Sequence, residues 1–154
     1  MRKSIGALLL GALTLPTAMA ANETPLQVET AWVRALPPTQ SNTAGYLTIT
    51  NSGDESVTIT GGSSEIAEAV EIHTTREVDG LLRMQELTEI TVEPGETVEL
   101  APGGMHLMLL GLKRMPAEGE EVALCLDVQD APQQCVTAKA MKRADSGHSN
   151  HTHH

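Results

Sequence analysis

Two histidines and two methionines in the middle of the chain have the chemistry of a soft-metal site: His73, Met84, His106 and Met108. The remaining histidines all lie close to the C-terminus, at His148, His151, His153 and His154. Imidazole and thioether donors without a thiolate or a carboxylate favour Cu(I) over zinc, calcium or magnesium. This donor set predicts copper binding rather than catalysis on an organic substrate.

The first twenty residues have the pattern of a secretory signal peptide. Arg2 and Lys3 precede an apolar run over residues 5–15, and Ala18-Met19-Ala20 supplies a small-x-small cleavage site. We therefore expect cleavage after Ala20 and an exported protein. The apolar run is too short for a bilayer span, which needs about 20 residues, so no membrane insertion is expected.

Charge and composition narrow the class of protein further. The chain carries 10 basic and 20 acidic residues, and cleavage would leave 8 basic residues and a net charge of −12, which excludes nucleic-acid binding through a basic surface. Residues 21–144 have the length of one domain, whose core must be aliphatic because phenylalanine is absent. Residues 145–154 are polar and histidine-rich, so they predict a flexible tail that suits Cu(II), and also nickel or zinc.

Short strands separated by turn residues predict an all-β sandwich or barrel. One helical turn is expected at 63–69, where serines could cap it and glutamate and alanine follow. Met105, Met115 and Met141 are expected to have packing or surface roles. The expected strands cover 26–33, 45–51, 57–60, 70–76, 81–92, 97–100, 105–110, 121–128 and 133–138.

Asp79-Gly80 is a strong signal for a two-residue type I′ hairpin loop. Such a loop pairs Val78 with Leu81, Thr75 with Met84, and His73 with Glu86. Side chains repeat on one face of a strand at every second position, so Met84 becomes a diagonal neighbour of His73. Diagonal neighbours lie about 7–8 Å apart, within reach of long side chains.

His106 and Met108 share one face of the 105–110 strand, because a single residue separates them. The same alternation directs Met105, Leu107 and Leu109 towards the core. One shared metal site then requires this strand to lie beside the 70–86 hairpin, or across from it.

Cys125 and Cys135 are the only cysteines in the chain. In an exported protein the expected state of such a pair is a disulfide. A hairpin centred on residue 130 would let the two cysteines face each other across neighbouring strands. A redox pair and a copper–thiolate site are the alternatives.

The chain resembles the periplasmic copper chaperones of the PCuAC family over nearly the whole mature domain. The similar segments include Ala31-Trp32-Val33-Arg34 ahead of Pro37-Pro38, and Ala44-Gly45-Tyr46-Leu47 through Asn51. The family's metal motif is a His, a Met after ten intervening residues, then twenty-one residues and His-x-Met. The matching positions, without any shift in spacing, are His73, Met84, His106 and Met108.

This resemblance implies a cupredoxin-like Greek-key β-barrel or sandwich that binds one Cu(I) through those four side chains. It also implies delivery of copper to the CuA centre of cytochrome c oxidase in the periplasm. The implied partners are the CuA subunit and a Sco-type thioredoxin-fold protein, and we expect a monomer. The tail resembles histidine-rich extensions that are associated with Cu(II). The cysteine pair lies outside the motif.

Three other functions deserve comparison. A blue-copper electron carrier needs a cysteine ligand, and neither cysteine lies near His106 in the sequence. Copper oxygenases that use an N-terminal histidine are excluded by a mature start at Ala21, and two thioethers disfavour redox cycling, so we expect a non-enzyme. A periplasmic copper-sequestering or storage protein stays open. Such a protein would retain copper in the presence of an acceptor, whereas a chaperone would pass it on.

Overall fold

The computed structural model describes residues 25–142, and these residues form ten β-strands and no helix. This part of the chain therefore has no helix that could cross a membrane. The all-β prediction is confirmed. The strands are β1 (Leu26–Arg34), β2 (Thr43–Asn51), β3 (Val57–Ser63), β4 (Ala69–Val78), β5 (Leu81–Leu87), β6 (Ile90–Val92), β7 (Thr97–Leu100), β8 (Met105–Leu110), β9 (Glu121–Val128) and β10 (Gln134–Met141).

Seven of the strands form a ring in the order β4-β8-β2-β1-β10-β9-β3, and β3 returns to β4 through the single pair Gly62–Val70. The other three strands, β5, β6 and β7, pair with β4, β3 and β2 respectively. The pair β1–β10 is parallel, and the remaining pairs are antiparallel. The ring is not a regular barrel. A single residue pair closes it, and β7 and β8 pair with different parts of the same edge of β2.

The interior of the ring is aliphatic, as the absence of phenylalanine requires. Alternate residues of β8 and β9 are fully buried, among them Leu107, Leu109, Leu124 and Leu126. This period of two leaves the intervening side chains of each strand on the outer face. On β8 those intervening residues include His106 and Met108. The core therefore fixes which face of β8 carries the candidate ligands.

Two local predictions are wrong. The predicted helical turn at 63–69 is absent because β3 continues to Ser63, and a turn follows in which the Ala67 N–H donates to the Ser64 carbonyl over 3.2 Å. The Ser64 hydroxyl donates to the Ala123 carbonyl over 2.8 Å instead of capping a helix. The single strand predicted at 81–92 is two strands. β5 pairs with β4 as far as Leu87, and β6 pairs with β3 from Ile90.

Candidate metal centre

The β4–β5 hairpin positions His73 and Met84. Asp79 and Gly80 form its loop with φ angles of 54° and 75°, which are the left-handed values that a type I′ turn requires at both central positions. All three predicted cross-strand pairs are present: Val78–Leu81, Thr75–Met84 and His73–Glu86. The hairpin prediction is therefore confirmed in both loop type and register.

Strand β8 lies directly beside β4, which is one of the two placements that a shared site requires. His106 is paired with His73, and Met108 is paired with Glu71. The imidazole ring centroids of His73 and His106 are 6.0 Å apart. Because Met84 lies on β5 at the other side of β4, the four predicted ligands occupy three adjacent strands and project from the same outer face.

These side chains differ in their exposure to solvent. The imidazole-bearing residue His106 is only 5% exposed although it faces outward, whereas Met84 is 61% exposed. Met108 and His73 are half-buried. An open cavity of about 460 Å³ has Met84, His106 and Met108 in its wall, whereas His73 is not among the residues that line it.

Hydrogen bonds leave each imidazole with one nitrogen lone pair. The Nδ1–H of His106 donates to the Gly104 carbonyl over 3.1 Å, so Nε2 of His106 carries the lone pair. Nε2 of His73 lies 2.8 Å from a carboxylate oxygen of Glu71, and donation there leaves the lone pair on Nδ1. That Nδ1 is buried and has no hydrogen-bond partner. A carbonyl or carboxylate behind the ring is the usual support of a metal-binding histidine.

The Gly104 carbonyl also fixes the loop before β8. It accepts the N–H of Thr75 over 3.2 Å in addition to the His106 imidazole. Thr75 is the residue paired with Met84 on β5. One carbonyl therefore links β4, at the residue paired with Met84, to the ring orientation of His106.

An aromatic stack borders the site on the side of β2 and β1. The Tyr46 ring centroid is 6.3 Å from that of His106 and 4.4 Å from that of Trp32. The guanidinium of Arg34 lies 5.5 Å from the centre of the Tyr46 ring. Burial raises the pKa of the Tyr46 hydroxyl, and the positive charge of Arg34 partly offsets this. Tyr46 is therefore a neutral phenol at physiological pH.

Reasoning from the residues alone did not assign a role at the site to Glu71, Tyr46 or Arg34. For Glu71 a signal existed, since it precedes His73 by two positions and must share its face. For Tyr46 and Arg34 the only signal was their presence in segments similar to a family. Their proximity to His106 depends on the order of β8, β2 and β1, which local sequence does not encode.

The donor set distinguishes between metals. Within residues 25–142 no group of three or more histidine, cysteine, aspartate or glutamate side chains is arranged to hold a metal ion. The other side chains at this face that suit a soft metal are the thioethers of Met84 and Met108. Two imidazoles with two thioethers form a soft set that suits Cu(I) better than zinc or calcium.

The other predicted residues fall in two groups. Cys125 and Cys135 are paired across β9 and β10 and are joined by a disulfide. The cleavage site at Ala20 and the tail lie outside the described residues, as do its four histidines, His148, His151, His153 and His154.

Comparison with known proteins identifies the family. The family model described as "Putative lipoprotein LpqE-like" matches residues 26–140. A putative lipoprotein of Leifsonia xyli subsp. xyli, Lxx21020, is 33% identical in an alignment of 138 positions that covers 82% of this chain and 80% of the relative. The chain therefore belongs to the LpqE-like family.

Solved structures give the same fold. Apo-DR1885 from Deinococcus radiodurans is 32% identical, with a TM-score of 0.61 and coverage of 93% of this chain and 97% of that one. The structure named CuI-DR1885 is 31% identical, also with a TM-score of 0.61, and covers 82% of this chain and 83% of that one. The copper-bound PCuAC domain from PmoF2 has a TM-score of 0.64 at 21% identity, over 77% of this chain and 94% of that domain. The resemblance to PCuAC proteins is confirmed.

Proposed function

We propose that this chain is an exported copper chaperone that carries one Cu(I) ion on the outer face of β4, β5 and β8. The ligands are His73, Met84, His106 and Met108. The observation that carries the proposal is the direct pairing of His73 on β4 with His106 on β8, with Met84 of β5 and Met108 of β8 on the same face. Relatives of the chain include a protein solved with Cu(I), DR1885.

The differing exposure of the ligands suits a carrier. His106 is almost buried and is held by Gly104, so it provides a fixed anchor for the ion. Met84 is largely exposed on an edge strand, so a competing ligand can replace its sulfur first. Copper is then the cargo, and it leaves by stepwise ligand exchange with no change in its oxidation state.

The remaining parts of the proposal concern place and destination. The protein would act in the periplasm after cleavage at Ala20, and its tail histidines would capture Cu(II). The acceptor would be the CuA subunit of cytochrome c oxidase or a Sco-type protein. Descriptions of the family and of the relative as lipoproteins support export. The protein would perform no catalysis, since its task ends with the transfer of an ion.

An anaerobic Cu(I) titration against a chromophoric chelator tests the site. The mature protein, and a form ending at Ala144, should each retain one tightly bound Cu(I). Met84→Ala and Met108→Ala should each weaken binding by at least about tenfold, since loss of even an outer-shell partner commonly costs that much. Met115→Ala is the matched control, because Met115 lines a separate cavity with Pro116 and Ala117. If the form ending at Ala144 binds no Cu(I), the proposed site is wrong.

A second experiment separates the chaperone from the copper-storage alternative. The Cu(I)-loaded protein is mixed with the apo form of a soluble CuA domain, and the metal content of each is measured after separation. Transfer of most of the copper supports the chaperone. Retention of the copper, with the acceptor independently shown to bind Cu(I) more tightly, would favour storage.

A further inference from the structure

The cavity beside the candidate metal centre has a positively charged wall. Besides Met84, His106 and Met108, it is lined by Arg34, Gln40 and Tyr46. The cavity therefore brings three of the proposed metal ligands together with side chains that can donate hydrogen bonds. A molecule that reaches the proposed copper site through this cavity would also meet Arg34.

The guanidinium of Arg34 has no anionic partner in the part of the chain that the structure describes. It takes part in none of the ion pairs or side-chain hydrogen bonds formed there, and its Nε is buried without a partner. Its one described contact is the face of the Tyr46 ring, at 5.5 Å. Arg114 shows the contrast, since both of its terminal nitrogens bind the Glu120 carboxylate.

An unpaired guanidinium is unexpected in so acidic a protein. The chain has 20 acidic residues for 10 basic ones, so carboxylates are abundant. A guanidinium is a planar fork that matches a carboxylate or another anion, and burial of its donors without a partner is costly. Stacking on Tyr46 holds the charge in place without consuming that fork.

We infer that Arg34 is an anion-binding subsite that receives the negatively charged group of the copper acceptor. The inference rests on the proposed function, and it adds a recognition element for the acceptor to the metal ligands. A thiolate is the expected group, because it binds Cu(I) more tightly than a thioether does. As the thiolate sulfur forms its bond to Cu(I), the bond from the Met84 sulfur breaks, and no electron is transferred. Arg34 offsets the repulsion that the net negative charge of the protein imposes on such an acceptor.

The test compares two chelators that share one phenanthroline core and differ in charge. Cu(I)-loaded full-length mature protein is mixed in a stopped-flow instrument with bathocuproine disulfonate, which is anionic, or with neocuproine, which is neutral. Arg34→Gln should slow transfer to the anionic chelator by about five- to tenfold, the effect of one nearby charge. Transfer to the neutral chelator should stay within about twofold of the wild-type rate.

Two further variants complete the experiment. Arg34→Lys keeps the charge and should retain most of the preference for the anionic chelator. Arg114→Gln removes the same charge away from the cavity, and it should change both rates little because distant exposed charges are screened.

The outcomes are distinct. Equal slowing with both chelators would assign Arg34 a structural role through Tyr46 and would overturn the subsite. Unchanged rates for Arg34→Gln would also overturn it. If the wild-type protein retains no Cu(I) at the loading step, the proposed function itself fails, which is a separate result.

Discussion

The two hairpins β4–β5 and β9–β10 are built from similar lengths of chain but differ in their surroundings. Both β9 and β10 are strands of the ring, in which β9 pairs with β3 and β10 pairs with β1. Its inward residues Val122, Leu124 and Leu126 are at most 1% exposed, and its strands are joined by the disulfide. β5 is an edge strand that pairs only with β4, and Leu82 at its start is 76% exposed.

With the proposed function, this difference would separate the part of the sheet that stabilises the fold from the part that binds copper. The β9–β10 hairpin contributes buried aliphatic area and a covalent link, so its loss should affect the whole fold. The distal part of β4–β5 buries little and presents Met84 to solvent, so its alteration should affect the proposed metal exchange. Local stability of this kind varies within a domain, and ligand-binding elements are commonly drawn from its less stable parts.

Removal of the disulfide should have the largest effect on stability. The double variant Cys125→Ser with Cys135→Ser should lose about 2–3 kcal/mol in free energy of unfolding, the value for a loop of this size. Urea unfolding of the mature protein followed by circular dichroism measures this. Cu(I) affinity in native conditions should match that of the wild type. A large loss of affinity in a folded double variant would contradict the separation of the two hairpins.

The sequence could predict features that depend on residues close together in the chain, but not the pairing of distant strands. The β4–β5 register followed from Asp79-Gly80, because a two-residue loop fixes the pairing of its strands. The shared face of His106 and Met108 followed from strand periodicity. The position of β8 beside β4 was stated only as a requirement, since no local signal specifies which distant strands pair.

The predicted helical turn at 63–69 is wrong for a related reason. Its serines, glutamates and alanines have acceptable helical propensity, but propensity is a weak prior that tertiary pairing overrides. Ser63 is paired with Cys125 on β9, a residue far away in the chain. The contact of Arg34 with Tyr46 next to His106 was likewise beyond reach, because it depends on the order of β1, β2 and β8 in the ring.

A change in the β4–β5 loop should lower Cu(I) affinity as well as stability. Gly80 has a φ of 75° and no atom near the position of an added Cβ, so Gly80→Ala introduces backbone strain of about 1 kcal/mol without a clash. The position of Met84 depends on the register of β4 and β5, which this loop fixes. Cu(I) affinity should therefore fall about threefold to fivefold, a loss of binding free energy no larger than the strain. The chelator titration measures it.

Gly95→Ala is the matched control for this loop change. Gly95 has a φ of 76° and the same open surroundings, but it lies in the turn between β6 and β7. Its N–H donates to the carbonyl of the buried Asn51 over 2.8 Å. This variant should lower the free energy of unfolding by about 1 kcal/mol and leave Cu(I) affinity unchanged. Equal loss of affinity in both variants would show that general destabilisation, rather than the register of Met84, governs the site.

The smallest predicted effect on stability concerns the residue just before β9. Glu120 precedes this strand, and its carboxylate binds the guanidinium of Arg114 and the N–H of Ala117. The hydrogen bond from Arg114 is the main reason why the pKa of Glu120 is lowered to about 2 from an ordinary value of 4.5. Because the pKa of Glu120 is lower in the folded state, the ionised carboxylate stabilises the fold at pH values above its ordinary pKa of 4.5. This contribution is lost as the pH falls through about 2. Because the pair is exposed to solvent, the contribution is small.

Arg114→Gln should therefore raise the pKa of Glu120 towards 4.5, as measured by the pH dependence of the Glu120 side-chain carboxyl resonance in NMR. The increase should be incomplete, because the Ala117 N–H still donates to the carboxylate. Cu(I) affinity should not change, since Glu120 and Arg114 are not among the residues that line the metal cavity. A change in affinity would mean that charges near β9 reach the metal face, and it would weaken the distinction between the hairpin that stabilises the fold and the hairpin that presents Met84.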